Sequence, residues 1–126
     1  MSKRRSLDHL DKLPTIVGRE AVHVGLFDGR ENYVVHGQVH GDSDIEGVLM
    51  IGPDGLWVGN ITADMVVVKG RVDGNIYARF KLELRPSARI KGDLSSPLIA
   101  VAEGAVVQGR INSDSIVTRF ADRRTH

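Results

Sequence analysis

Five histidines are the residues of this sequence best suited to bind a metal, and His23, His36 and His40 lie closest together. A zinc ion holds each ligand at about 2 Å. His36 and His40 fall on one side of an extended chain, but four strand residues span about 13 Å, so these two cannot share a metal. His23 can neighbour one of them on an adjacent coil, which gives at most two ligands. We therefore expect no metal site, with solvent-facing histidines here and His9 and His126 in the tails.

The acidic residues also lack the arrangement that catalysis needs. Asp42, Asp44, Asp54 and Asp64 fall at turns or outward positions, where aspartate commonly caps backbone amides. The sequence contains no Gly-x-Ser-x-Gly, no phosphate-binding loop and no cysteine. It also lacks the strict six-residue aliphatic repeat of hexapeptide acyltransferases. These observations predict a protein that is not an enzyme, with no cofactor and no small-molecule substrate.

A short repeated pattern between Gly59 and Ile111 indicates the elements that position these side chains. Four segments open with an aliphatic residue, and each has a glycine two places before it. Together with Gly41, these glycines recur every 15–18 residues. A repeat of that length suits one coil of a β-solenoid and is too short for pairs of helices. The four aliphatic residues are Ile61, Ile76, Leu94 and Ile111.

Alternation within the repeat predicts how the coils are built. From Ile76 to Leu94 the even positions are mostly apolar and the odd ones polar, which is the pattern of a half-buried strand. The run is far longer than a usual strand of about 5–6 residues, so the chain must bend at glycine and proline. Stacked coils then pair through parallel ladders about 4.8 Å apart. The prediction is an all-β fold, a single parallel β-helix of about six coils with Trp57 in its core.

Composition and charge limit the function classes. No apolar run approaches the roughly 20 residues of a membrane helix, and no secretory signal is recognisable, so the sequence predicts a cytoplasmic protein. Residues 31–64 carry six acidic groups and no Lys or Arg, whereas residues 65–92 carry seven basic and two acidic groups. This alternation is either a solvated surface or charge complementarity between rods. No basic patch is interleaved with aromatics, so nucleic acid is not an expected partner.

The two tails are predicted to lie outside the β-helical core, which we assign to residues 21–120. Residues 1–20 are predicted to form no coil and to be either disordered or weakly amphipathic. In the second case they would contact a membrane surface, though only modestly. Residues 121–126 are predicted to be a disordered C-terminal tail. The residues of the possible membrane contact are Lys3, Arg4, Arg5, Leu7 and Leu10.

The ends of such a rod are the remaining candidate site. The first and last coils of a β-helix expose unpaired N–H and C=O groups, and no strong helical cap is visible at either end. Uncapped ends favour end-to-end stacking. Phe120 would then be either a contact between subunits or a plug for the core of its own subunit. The residues predicted near the joints are Val22, Val24, Ile116, Thr118 and Phe120.

The run Val68-Lys69-Gly70-Arg71-Val72-Asp73-Gly74-Asn75-Ile76 and its neighbours resemble the bactofilins, bacterial polymer-forming cytoskeletal proteins. The similarity covers roughly residues 35–112 and includes Ile45-Glu46-Gly47 and Ala88–Leu94. The resemblance implies a right-handed β-helical core with short disordered tails and polymerisation without nucleotide through terminal hydrophobic coils. It also implies scaffolding of cell-wall or morphogenesis enzymes, often at the inner face of the membrane.

Three hypotheses of function follow. In the first, the chain is a structural protein that forms filaments by end-to-end stacking. In the second, it is a β-helix enzyme of the hexapeptide transferase or zinc hydratase type. In the third, it is a monomeric module that binds carbohydrate or protein.

Overall fold

The structure, a computed structural model, describes residues 15–119, which form sixteen β-strands and no helix. Within that range, accordingly, no helix of the length and apolarity needed to cross a bilayer occurs. The strands are β1 (Thr15–Val17), β2 (Val22–Val24), β3 (Phe27–Gly29), β4 (Tyr33–Val35), β5 (Gln38–His40), β6 (Ser43–Ile51), β7 (Leu56–Val58), β8 (Ile61–Val68), β9 (Arg71–Asp73), β10 (Ile76–Leu84), β11 (Arg89–Lys91), β12 (Leu94–Ser95), β13 (Leu98–Ala102), β14 (Val106–Gln108), β15 (Ile111–Asn112) and β16 (Ser115–Arg119).

The strands stack into three parallel ladders, which we call sides 1, 2 and 3. Side 1 consists of β3, β12, β15 and the first halves of β6, β8 and β10. Side 2 consists of β1, β4, β13, β16 and the second halves of those three long strands. Side 3 is the sheet β2-β5-β7-β9-β11-β14. Each coil contributes one segment to each side, which confirms the predicted solenoid of about six coils.

The core is formed by inward side chains that lie in register from coil to coil. On side 3, Trp57 is aligned with Val39 and Val72, and all three are at most 2% exposed. The predicted core position of Trp57 is therefore confirmed, and its indole Nε1 donates a hydrogen bond to the Gly41 carbonyl at 3.0 Å. Full burial of one valine, leucine or isoleucine side chain of this core contributes about 1.5–3 kcal/mol to the free energy of unfolding. Further buried members are Leu49, Val66, Leu82 and Ile99 on side 2 and Ile61, Ile76 and Leu94 on side 1.

The solenoid begins earlier than the predicted boundary at residue 21. Thr15–Val17 pairs with Tyr33–Val35, and Val17 is only 2% exposed. Three alternating residues after Pro14 are enough to form a strand because the adjacent coil supplies the template. This corrects the start of the core to residue 15. The predictions for residues 1–14 and 120–126, including Phe120, lie outside the described residues.

The inward series predicted for residues 76–94 is broken at two bends. Phe80 is 64% exposed and Pro86 is exposed, although both fall on even positions. The reason at Phe80 is a register shift between Ala78 and Lys81, where β10 turns from side 1 to side 2. Three residues occupy the bend, so the middle one projects outward while Ala78 and Leu82 remain buried.

A column of glycines allows the backbones to approach each other where side 3 meets side 1. Gly25, Gly41, Gly59, Gly74, Gly92 and Gly109 all have positive φ. A Cβ on any of the last five would overlap the carbonyl oxygen of the preceding glycine in the column. The glycine repeat of the sequence therefore marks a corner at which no side chain fits.

The residues that follow the four glycines from Gly41 to Gly92 add a second column, which we call the Asx ladder. Asp42 Oδ1 accepts the Asn60 N–H at 2.9 Å, and Asn60 Oδ1 accepts the Asn75 N–H at 3.1 Å. Asn75 Oδ1 in turn accepts the Asp93 N–H at 2.9 Å, and Asp93 Oδ1 accepts the Arg110 N–H at 3.0 Å. Each side chain thus links its own coil to the next one.

Two glycines of the column separate the effect of backbone strain from the effect of overlap. Gly25 has φ +139° and open space around a Cβ, whereas Gly74 has φ +155° and the Gly59 carbonyl in the way. We expect Gly25→Ala to cost about 1–3 kcal/mol of unfolding free energy from strain alone, and Gly74→Ala more than about 4 kcal/mol. Urea denaturation followed by circular dichroism measures both, and equal losses would contradict the role assigned to the column.

Candidate functional site

The three central histidines do not form a metal site. His23 pairs with Val39 at an inward position of side 3, and its ring lies 5.6 Å from that of Phe27. His40 pairs with Val24 at an outward position of the same side, so the two imidazoles lie on opposite faces of one sheet. Between residues 15 and 119 no group of three His, Cys, Asp or Glu residues could hold a metal ion. His36 is half-buried after β4, where Gly52 approaches its ring.

The aspartates singled out in the sequence bind other parts of the solenoid. Asp42 caps the backbone of the next coil, and Asp54 forms an exposed ion pair with Arg19 at 3.1 Å. Asp44 and Asp64 both bind Arg79, which also donates to the Ile45 carbonyl at 2.9 Å. The hydrogen bond that Arg79 donates to Asp44 is the main cause that raises the pKa of the Arg79 guanidinium above its ordinary value. These carboxylates therefore connect coils and are not arranged as an acid–base pair.

The C-terminal end exposes the last members of the inward columns. Ile116 continues the column of Ile99 but is 51% exposed, whereas Ile99 is fully buried. Ile111 continues the column of Leu94 and is 37% exposed, against 0% for Leu94. Thr118, above Val101, is exposed as well. The apolar core is therefore open to solvent at this end of the described chain.

The N-terminal end contains an aromatic cluster instead. The Phe27 ring lies 5.4 Å from the rings of Tyr33 and Trp57 in tilted and edge-on arrangements, with His23 beside it. Such aromatic pairs contribute about 0.5–1.5 kcal/mol beyond their burial. Burial, and then the nearby carboxylates of Glu31 and Asp28, raise the pKa of the Tyr33 phenol above its ordinary value of 10.0.

Val22 and Val24 lie on the flank of the first coil. They pair with Gln38 and His40, which are outward positions, and they are 59% and 81% exposed. The sequence placed these valines near a joint without assigning their direction, and the register puts His23, not the valines, in the inward column. The end-surface residues that the sequence prediction missed are Phe27 and Ile111. Alignment of whole coils, rather than local alternation, would have indicated them.

Both ends also leave strand edges without a partner within the described range. The strands β1, β2 and β3 pair only toward β4, β5 and β6. The strands β14, β15 and β16 pair only toward β11, β12 and β13. A row of free N–H and C=O groups is a template for another chain. Each end thus combines apolar side chains with open backbone edges.

Comparison with known proteins agrees with this geometry. The family profile described as "Bactofilin: Polymer-forming cytoskeletal" matches residues 15–112, from the start of β1 to the end of β15. The chain is 34% identical over 100 residues to bactofilin BacO of Myxococcus xanthus (strain DK1622), which covers 79% of each chain. It is 30% identical over 102 residues to bactofilin BacP of the same bacterium, covering 81% of this chain and 42% of BacP. No solved structure gives a significant match.

Because the histidines lie apart, we predict that the protein does not bind zinc. We expect the purified protein to contain no stoichiometric zinc and its unfolding midpoint to be unchanged by added Zn²⁺, because a ligand stabilises a fold only when it binds the native state. Elemental analysis and thermal unfolding measure the two quantities. One zinc per chain that is lost in His23→Ala or His40→Ala would contradict the prediction.

Proposed function

The chain belongs to the bactofilin family of polymer-forming cytoskeletal proteins, and from that premise we propose that its solenoids stack end to end into filaments. No nucleotide takes part in this assembly, and the protein has a structural role without catalysis. The observation that carries the proposal is the exposure of Ile111 and Ile116. The column of Ile111 is buried in every coil from Ile61 to Leu94, and the column of Ile116 is buried in every coil from Leu49 to Ile99.

The C-terminal end supplies the apolar part of the proposed joint. A second solenoid stacked on this end would cover Ile111, Ile116 and Thr118, just as each coil inside the solenoid covers the inward residues of the coil before it. Phe120 is outside the described residues, but in the sequence it continues the alternation of Ile116 and Thr118, and we include it in the contact. The edges of β14, β15 and β16 would gain ladder partners at the same time.

The N-terminal end would present the edges of β1, β2 and β3 around the aromatic cluster. Val22 and Val24 flank this end from outward positions, so we assign them to the rim of a joint and not to its centre. Joints between like ends give a filament without polarity, and joints between unlike ends give a polar one.

The filament would act as a scaffold for enzymes that remodel the cell wall and so influence cell shape. We place it in the cytoplasm, with contact to the inner face of the cell membrane through the N-terminal segment. Lys3, Arg4 and Arg5 would attract anionic headgroups, and Leu7 and Leu10 would enter the interface. One short segment binds weakly, but many copies along one filament bind together.

The joint is tested by placing a charge at the end of the core. Ile116→Lys would bury an ammonium group in the apolar contact, for which we assume about 3 kcal/mol per joint, or a roughly 100-fold higher critical concentration for assembly. Phe120→Arg should act in the same direction. Electron microscopy and sedimentation measure assembly, and Thr62→Lys, half-buried at an outward position in the middle of side 1, is the matched control.

Unchanged filaments in both end variants would overturn stacking through the C-terminal end. Loss of filaments in Thr62→Lys as well would show that the end variants report a general effect of added charge.

Membrane contact is tested with the triple variant K3E/R4E/R5E. We expect the parent filaments to sediment with vesicles that contain anionic lipid, and the variant to lose most of this binding because each basic residue contributes about 1 kcal/mol. Filament assembly in solution should be unchanged. Equal sedimentation of parent and variant would contradict the assigned role of the basic segment.

A further inference from the structure

The outer surface of side 2 is apolar along almost the whole length of the rod. One outward column, in register from coil to coil, is Ile16, Val34, Met50, Val67, Glu83, Ala100 and Val117. The position two residues earlier in the longer strands forms a parallel column of Val48, Met65, Lys81, Leu98 and Ser115. We call these two columns together the side 2 stripe.

The other two sides do not share this pattern. The outward column of side 1 is Asp28, Asp44, Thr62, Tyr77, Ser95 and Asn112. Side 3 carries Arg71, Asp73, Arg89 and Lys91 at outward positions. A sheet with one solvated face normally alternates apolar and polar residues, whereas strands covered on both faces are continuously apolar.

On side 2 the strand sequences are of the second kind. Residues 48–51 are Val-Leu-Met-Ile, residues 65–68 are Met-Val-Val-Val and residues 98–101 are Leu-Ile-Ala-Val. Their inward members are in the core. Of the outward members, Ile16 and Val117 at the two ends are 62% and 45% exposed, Ala100 is 2% exposed, and Val34, Met50 and Val67 are half-buried. The stripe therefore has the composition of a surface that another molecule covers.

The charges within the stripe form a balanced pair on β10. Lys81 Nζ lies 3.9 Å from Glu83 Oε1, and Arg85 donates to Glu83 at 2.8 Å from the adjoining bend. The Glu83 side chain is 19% exposed and that of Lys81 29%. Lys81 and Glu83 carry opposite charges within the two columns, so a partner that presents the same two residues can place each beside its opposite.

We propose that the side 2 stripe binds the same stripe of a second copy, so that two solenoids lie side by side and parallel. A two-fold axis along the rods places each column against the other column of the second copy at the same level. Lys81 then lies opposite Glu83 of the second copy, and the apolar levels of β6, β8 and β13 each lie opposite the same level of the second copy. If the two rods were antiparallel and the symmetry axis passed through this coil, Lys81 would face Lys81 of the second copy. If the axis passed through any other coil, the charged residues would face apolar residues. Charge complementarity thus selects the parallel arrangement.

The size of the stripe indicates when the pairing is stable. Seven strands about 4.8 Å apart and two residue columns about 7 Å wide give on the order of 200–300 Å² of flat area per protomer. A stable dimer buries about 800 Å² on each partner. Pairing is therefore weak between single protomers and becomes strong where many stripes are aligned along two filaments. To this extent the inference rests on the proposed function.

Filament width and a charge swap test the proposal. We expect the parent to form paired filaments and Val67→Lys to form single filaments of unchanged length, with Thr62→Lys on side 1 as the matched control. Lys81→Glu alone should also give single filaments, because it brings two acids together. The double variant K81E/E83K should restore the pairs. Electron microscopy measures the width.

Three results in the microscope would overturn the inference: paired filaments of Val67→Lys, no rescue by K81E/E83K, or single parent filaments. If the parent forms single filaments and removal of residues 1–14 makes them pair, the chain's own N-terminal segment would be the molecule that covers the stripe in the parent.

Cross-linking separates a failure of the pairing from a failure of filament formation. The chain has no cysteine, so an introduced thiol is unique. Met65→Cys mixed with Val67→Cys and treated with a short bismaleimide should give more dimer than Thr62→Cys. This result supports pairing even if no filament forms, in which case only the end-stacking proposal fails. If filaments form and the dimer is no greater than that of Thr62→Cys, the pairing is overturned and the end-stacking proposal remains intact.

Discussion

The close approach of successive backbones at the glycine column is the constraint on which the rest of the structure depends. Because no side chain fits between Gly59 and Gly74, each coil must present a glycine at this corner in register with the previous one. That alignment places Val72 on Trp57 and Ile76 on Ile61, so a continuous core follows from it. The corner therefore sets the register that the apolar side chains then fill.

The sequence was sufficient to predict the solenoid because its alternation and its glycine spacing indicate the same fold. It was insufficient wherever a residue's direction depends on the register of a neighbouring coil. Phe80 fits the inward series by counting, but the bend of β10 turns it outward. His23 is exposed, as predicted, but its register with Val39 places it in an inward column at the open N-terminal end, which its own strand did not indicate.

The candidate site was predictable in kind but only partly in detail. Exposed ends are a property of any unclosed solenoid, and Ile116 and Thr118 were identified from the last alternating segment. Ile111 was known only as the start of a repeat, since its exposure results from the absence of a further coil above it in the described chain. The strand at Thr15–Val17 was missed because three residues carry almost no periodicity without their partner β4.

The Asx ladder has a mechanical consequence for an assembled rod. It runs from Asp42 to the Arg110 N–H and then ends, because the arginine side chain offers no acceptor for a following coil. Five coils are thus tied by side-chain bonds in addition to their backbone ladders, whereas a joint at the C-terminal end lacks this tie. A filament under load would bend and break at the seams between subunits, and each subunit would behave as a stiff segment of a jointed chain.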